Sequence, residues 1–257
     1  MTTPIFVKAS QDVLPDIVAD NAYPDARGSR YGEQFTIDAF NLDALAWDGE
    51  LFVSHNAVQG TGVTITANVT QAASSLAPAL FMLNPTTSVK RIRLHRLRIT
   101  MVGIGSGHTA LNVDVISSKS PVITTAGTDY LVPSPALGVG GYKNVRSGLN
   151  KSSALSAFRA GVPIITLGTQ PRLLAHWHVR TGTIPVALDE YCMTFGGPRF
   201  QPEQGDHAVV ASTTVNHYQR SFAPVVIDPG DGLGIGLWAA SMAGTSSIEW
   251  ELVWSER

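Results

Sequence analysis

Beyond residue 50 the apolar side chains fall into short runs of alternation, and no run of about ten residues holds a convincing helical period. In G-V-T-I-T-A-N-V-T, Val63, Ile65, Ala67 and Val69 share one face, while Thr64, Thr66, Asn68 and Thr70 share the other. Successive side chains of a strand point to opposite faces, so this reads as a half-buried strand. A-L-N-V-D-V-I turns Leu111, Val113 and Val115 inward, and L-L-A-H-W-H-V-R puts Leu173, Ala175, Trp177 and Val179 on one face. Near the end, S-I-E-W-E-L-V-W sets Ile248, Trp250, Leu252 and Trp254 against Glu249, Glu251 and Val253. Further strands are predicted over 78–83, 162–167, 185–195, 208–218, 223–227 and 233–239. The best helical candidate, S-A-L-S-A-F-R-A-G over 153–161, is short. Strands without intervening helices cannot make the crossovers of a parallel sheet, which argues against an α/β fold. The expectation is an all-β double-sheet sandwich of the jelly-roll kind, or a barrel.

Two regions interrupt the pattern. Residues 1–47 are turn-rich and polar, as in N-A-Y-P-D-A-R-G-S-R-Y-G-E-Q, and read as an irregular N-terminal arm or a long loop wrapped on its own domain. The stretch F-T-I-D-A-F-N-L-D-A-L-A-W-D offers a short strand or helical turn to pin it. The remainder, 48–257, is one sandwich with a long excursion near 118–151. Loops of such length usually carry contacts. Tyr142 and Lys143 are its candidate contact residues. In I-D-P-G-D-G-L, Pro229 and Gly230 suit the central positions of a type II turn.

The densest charge lies in K-R-I-R-L-H-R-L-R-I-T-M, residues 90–101. Ile92 and Leu94 share one parity, while Leu97, Ile99 and Met101 share the other. One extra residue at His95–Arg96 resets the register, which is the mark of a β-bulge. Arg91, Arg93, Arg96 and Arg98 then all face outward. A sheet that binds nucleic acid adds exposed aromatics for base stacking, and none stands among these neighbours. The stripe reads as a solvated strand face or a protein-docking surface, since the arginine fork pairs well with carboxylates.

Composition agrees. The net charge of −2 gives no pull toward nucleic acid or anionic membrane. Charged residues are 15% of the chain against roughly 25% in ordinary soluble domains. That shortfall fits a surface covered by other subunits, or a neutral viral or extracellular one. With one cysteine, Cys192, the fold must rest on packing alone. M-T-T-P-I-F-V-K-A-S lacks the pattern of a Sec-type signal peptide, and no apolar run is long enough to span a membrane as a helix.

No motif demands an enzyme. His176 and His178 project from one strand face and could chelate a metal, but no carboxylate stands locally in register and Arg180 continues the face and would oppose a cation, so solvated histidines are the default. Asp189 and Glu190 are adjacent and face opposite ways. Cys192 lies opposite Tyr191, Met193 and Phe195 and has no sequence-local base. The glycine clusters match no phosphate or dinucleotide loop. Gly232, Gly234 and Gly236 strip one face of a strand and allow a sheet, loop or neighbouring subunit to approach. Trp238 breaks parity with Leu237 and is a candidate exposed anchor for a protein or a sugar. No catalytic residue, metal or cofactor is expected.

Three segments carry a resemblance: A-L-F-M-L-N-P-T-T-S-V-K-R-I-R-L-H-R-L-R-I, R-T-G-T-I-P-V-A-L-D-E-Y-C-M-T-F-G, and F-A-P-V-V-I-D-P-G-D-G-L-G-I-G-L-W followed by S-I-E-W-E-L-V-W-S-E-R. Over roughly 61–257 the chain resembles the jelly-roll capsid decoration, or cement, proteins of tailed bacteriophages. The resemblance implies a clustered, trimeric β-sandwich outside the head that bridges major capsid subunits, in the virion and without catalytic residues. A tail-associated or head-fibre protein and a glycan- or receptor-binding module are the alternatives.

Overall fold

The computed structural model describes residues 42–56, 60–65, 75–103, 111–125, 127–133, 140–146, 148, 151–161, 163–179, 189–196, 217–238 and 246–257, and the backbone of 8–9, 27–28 and 34–35. The early segments are β1 (Lys8–Ala9), β2 (Arg27–Gly28), β3 (Gln34–Phe35) and helix α1 (Leu42–Trp47). Next come β4 (Leu51–His55), β5 (Val63–Ile65), β6 (Ser75–Leu76), β7 (Leu80–Leu83), β8 (Ile92–Gly103) and β9 (Leu111–Lys119). The middle holds β10 (Val122–Thr125), β11 (Thr128–Asp129), β12 (Gly141–Asn144), β13 (Ala157–Ala160), β14 (Ile164–Thr166) and β15 (Thr169–Val179). The last are β16 (Glu190–Phe195), β17 (His217–Phe222), β18 (Val225–Ile227), β19 (Asp231–Trp238) and β20 (Ser246–Glu256).

The protein is an all-β sandwich. One sheet runs β12-β4-β20-β8-β16-β17, with β5 continuing beside β20 and β18 beside β8; the other runs β11-β13-β7-β19-β9-β15. Two small separate sheets run β10-β14-β6 and β1-β2-β3. Alternation decides which faces meet. Ile92, Leu94, Leu97, Ile99 and Met101 of β8 join Trp250, Leu252 and Trp254 of β20 in one buried cluster with Met82, Val113, Val115, Leu233 and Ile235 of the opposite sheet. Phe158 of β13 spans the gap, its ring edge-on to Trp250 at 5.4 Å and to Trp254 at 5.6 Å. Burial of each such large side chain contributes roughly 1.5–3 kcal/mol, enough for the sandwich to stand without a disulfide.

The bulge in β8 lies where the parity change puts it. Val253 pairs with Arg96 and Trp254 with Leu94, so His95 is the extra residue. A second bulge corrects the expected face of β15: Leu173 pairs with Ile116 and Ala175 with Val115, so Leu174 is extra. Leu173 is therefore 57% exposed, while Ala175 and Trp177 face the core. The side chains of Leu111 and Val179, and most of the strand predicted over 208–218, lie outside the described residues.

The short helix expected over 153–161 is instead strand β13. Phe158 fills the core from it, while Arg159 turns to Asp129 at 3.0 Å. The excursion after residue 118 is also no loose loop among its described residues, since β10, β11 and β12 are built from it. Its return is tied to buried Glu256. That carboxylate accepts the Ala154 N–H at 2.7 Å, the Trp254 indole N–H at 3.0 Å and the Ser153 hydroxyl. Tyr142 Oη accepts the Ser153 N–H at 2.9 Å.

The Pro229–Gly230 turn closes through the Asp231 N–H donating to the Asp228 carbonyl at 3.0 Å, with Gly230 at φ 86°. That left-handed φ is the reason for glycine there. The glycine face of β19 is met by a loop and a side chain: a Cβ on Gly232 would lie 2.4 Å from Pro121 and 2.9 Å from Phe81. Within the arm, α1 supplies the pinning turn by burying Leu45 completely.

Candidate contact face

The outer face of the larger sheet collects the basic residues. Because β8 sits between β20 and β16, its outward arginines meet outward carboxylates from both neighbours. Arg96 is ion-paired with Glu251 of β20, and Arg98 Nη2 lies 2.7 Å from Glu190 Oε2 of β16. Both arginines are exposed and both carboxylates partly covered. Such pairs contribute little to stability in water, about 0–1 kcal/mol each, but they hold the guanidinium forks in place.

Arg93 is half-buried, and its Nη2 donates to the Gly196 carbonyl at 3.3 Å. Arg91, with 74% of its side chain exposed, lies just before β8 and reaches Asp228 at 2.9 Å. Hence all four arginines are on one side of the sheet, with Arg93 the least available to a partner. His95, carried outward by the bulge, has Nε2 2.8 Å from Ser255 Oγ. Burial, and then the neighbouring Arg93 charge, push its pKa down to about 4.

Beside Arg98 the face dips into a half-open depression of about 360 Å³, lined by His55, Asn56, Arg98, Thr100, Glu249, Trp250 and Glu251. Glu249 accepts the Gly60 N–H, which ties the β4–β5 connection to the rim. The concavity is polar and charged, with both signs present.

Tyr142 is a correction. It is 3% exposed, its ring edge-on to Phe52 at 6.0 Å and tilted against Trp254 at 6.3 Å. A side chain that fills the core cannot meet a partner. Its neighbour Lys143 turns the opposite way, is half-buried, and pairs in register with Val53 at the β12 edge of the sheet. The Trp238 backbone pairs with Asn112, and its side chain lies outside the described residues.

Cys192 faces outward between Tyr191 and Met193, both fully buried. Burial pushes its thiol pKa up, despite the nearby Arg96 and Arg98 charges. A thiol held protonated is a poor nucleophile. The carboxylates Glu190 and Glu251, which complete the face, follow from strand pairing over long separations. In the sequence only their outward parity hints at them. No family model, curated protein or solved structure matches the chain.

Proposed function

We propose that this protein is a structural component of a tailed-bacteriophage virion: a capsid decoration protein, acting as a homotrimer, that bridges major capsid subunits. The observation that carries this reading is strand order. Eight strands, β4, β7, β8, β9, β15, β16, β19 and β20, give β4-β20-β8-β16 in one sheet and β7-β19-β9-β15 in the other. The chain enters the sheets in the sequence first, second, first, second, second, first, second, first. That order supports two nested Greek keys, the jelly roll found in capsid and lectin domains. Fold alone does not give function, so the resemblance of the β7–β8, β16 and β19–β20 segments to cement proteins chooses between those uses.

In this reading the arginine face is the pre-ordered docking surface. Arg96 and Arg98 are already held by carboxylates, so docking orders few side chains and exchanges one charged partner for another. Contacts repeated over a symmetric shell add by avidity, so each need be only of moderate strength. The test is sedimentation of the purified protein with and without empty phage shells. Trimers that co-sediment with shells are expected; a monomer that stays in the supernatant at every shell concentration overturns the reading.

A further inference from the structure

We propose that His176 and His178 form a binding site for one divalent transition-metal cation of the zinc class, on the outer face of the smaller sheet. Alternation beyond the bulge at Leu174 turns both imidazoles outward, directly opposite Asp114 and Asn112 of β9. His176 Nδ1 lies 2.5 Å from Asp114 Oδ1, and His178 Nδ1 lies 2.6 Å from Asn112 Oδ1. A carboxylate oxygen and an amide oxygen only accept hydrogen bonds, so the proton of each ring is on Nδ1. In the neutral ring the lone pair is then on Nε2.

This is the arrangement in which ligating histidines are held: the outer-shell acceptor takes the distal N–H, fixes the tautomer and raises the basicity of the ligating nitrogen. The acceptors are built in, since Asp114 and Asn112 are 2% and 4% exposed. By contrast, the His176 side chain is 46% exposed. On the other side of Asp114, β19 contributes Gly236, where an added Cβ would meet nothing nearer than the Asp114 carbonyl at 4.0 Å. The alternating pattern H-W-H keeps Trp177 in the core and both rings outside, so the pair costs the sandwich nothing in packing.

No metal-binding cluster of three or more His, Cys, Asp or Glu side chains occurs among the described residues. The site therefore has two imidazole donors, and water or an incoming ligand fills the other positions of a tetrahedral cation. Imidazole donors select zinc, copper and nickel over magnesium and calcium. The inference is independent of the capsid reading, since it rests on two rings and their anchors.

The experiment uses full-length protein stripped with EDTA and dialysed, then titrated calorimetrically with zinc chloride, with cobalt(II) absorption as a second probe. One saturable zinc per chain and a cobalt spectrum showing nitrogen coordination are expected. A His176→Gln/His178→Gln variant loses both signals, while the glutamine amide N–H can still donate to Asp114 and Asn112, so the metal-free thermal midpoint shifts only modestly. Asp114→Asn weakens zinc about 10- to 100-fold, the usual loss when an outer-shell partner is changed. Long-range nitrogen NMR of the metal-free protein places the proton of both rings on Nδ1. No saturable zinc, undiminished binding in the double variant, or protons on Nε2 would each overturn the proposal.

Discussion

The Glu256 carboxylate receives the backbone N–H of Ala154 at 2.7 Å across 102 residues of chain. With Ser153 and Trp254 as further donors, this one buried side chain fastens the returning excursion to the last strand. Replacing it with alanine leaves the buried Trp254 indole N–H without an acceptor, at about 1–3 kcal/mol, and strands the part-buried Ala154 N–H and Ser153 hydroxyl as well. Glu256→Ala is expected to lower unfolding free energy by about 3 kcal/mol in urea melts. Glu256→Gln, which keeps one acceptor oxygen, should lose less.

Phe158 offers a test of the sandwich itself, since its ring touches tryptophans of the facing sheet. Phe158→Ala opens a cavity between the sheets and is expected to cost about 3–5 kcal/mol. A loss under about 1 kcal/mol would mean that β13 does not pack there.

What could be read in advance depended on whether apolar and polar residues contrasted. The His95 bulge was legible because Ile92 and Leu94 lie on one parity and Leu97, Ile99 and Met101 on the other, with charged residues between. The Leu174 bulge was not, because Leu173 and Leu174 are both apolar and their identities carry no phase. Tyr142 sits among glycines, where nothing marks a face, and only the approach of Phe52 and Trp254 decides that it is buried. The anchors Asp114 and Asn112 were visible as the polar face of β9, but pairing between residues 62 and 66 apart was needed to bring them to the histidines.

The outward strip of glycines on β19 gives opposite expectations at two positions. An added methyl at Gly232 would collide with Pro121 and Phe81, whereas at Gly236 it meets only ordinary contact distance. Gly232→Ala should destabilise by about 1–3 kcal/mol through overpacking. Gly236→Ala should be neutral or slightly stabilising, because it lowers the entropy of the unfolded chain. Thermal melts of the two variants side by side make the comparison.

His95 gives stability a pH dependence. Its folded pKa of about 4 lies below the ordinary 6.5, so the unfolded chain takes up a proton between these values that the folded protein refuses. Stability is unaffected by this group above pH 6.5, falls as pH drops toward 4, and levels off below. Full burial would make the loss about 3 kcal/mol; with the ring partly open to water, about 1–2 kcal/mol is expected. His95→Gln should flatten the stability profile between pH 4 and 6.5 relative to the parent protein. Equal slopes in the two proteins would remove His95 as the cause.

The last prediction separates docking from folding on the arginine face. Arg96 and Arg98 are exposed, and each pairs with a partly covered carboxylate. Charge reversal at both, Arg96→Glu with Arg98→Glu, faces Glu251 and Glu190 with like charge and removes the cationic forks. Losing two exposed pairs costs about 0–1 kcal/mol each and the new like-charge contacts add a comparable amount, so the unfolding midpoint should fall modestly. If the arginine face docks on acidic capsid sites, as the proposed function has it, capsid occupancy should collapse in co-sedimentation, because the repulsion is repeated at every subunit. Raising salt should weaken the parent's binding in the same direction, since it screens the same attraction. A variant that folds and still fills the shell would overturn the proposal that the arginine face docks.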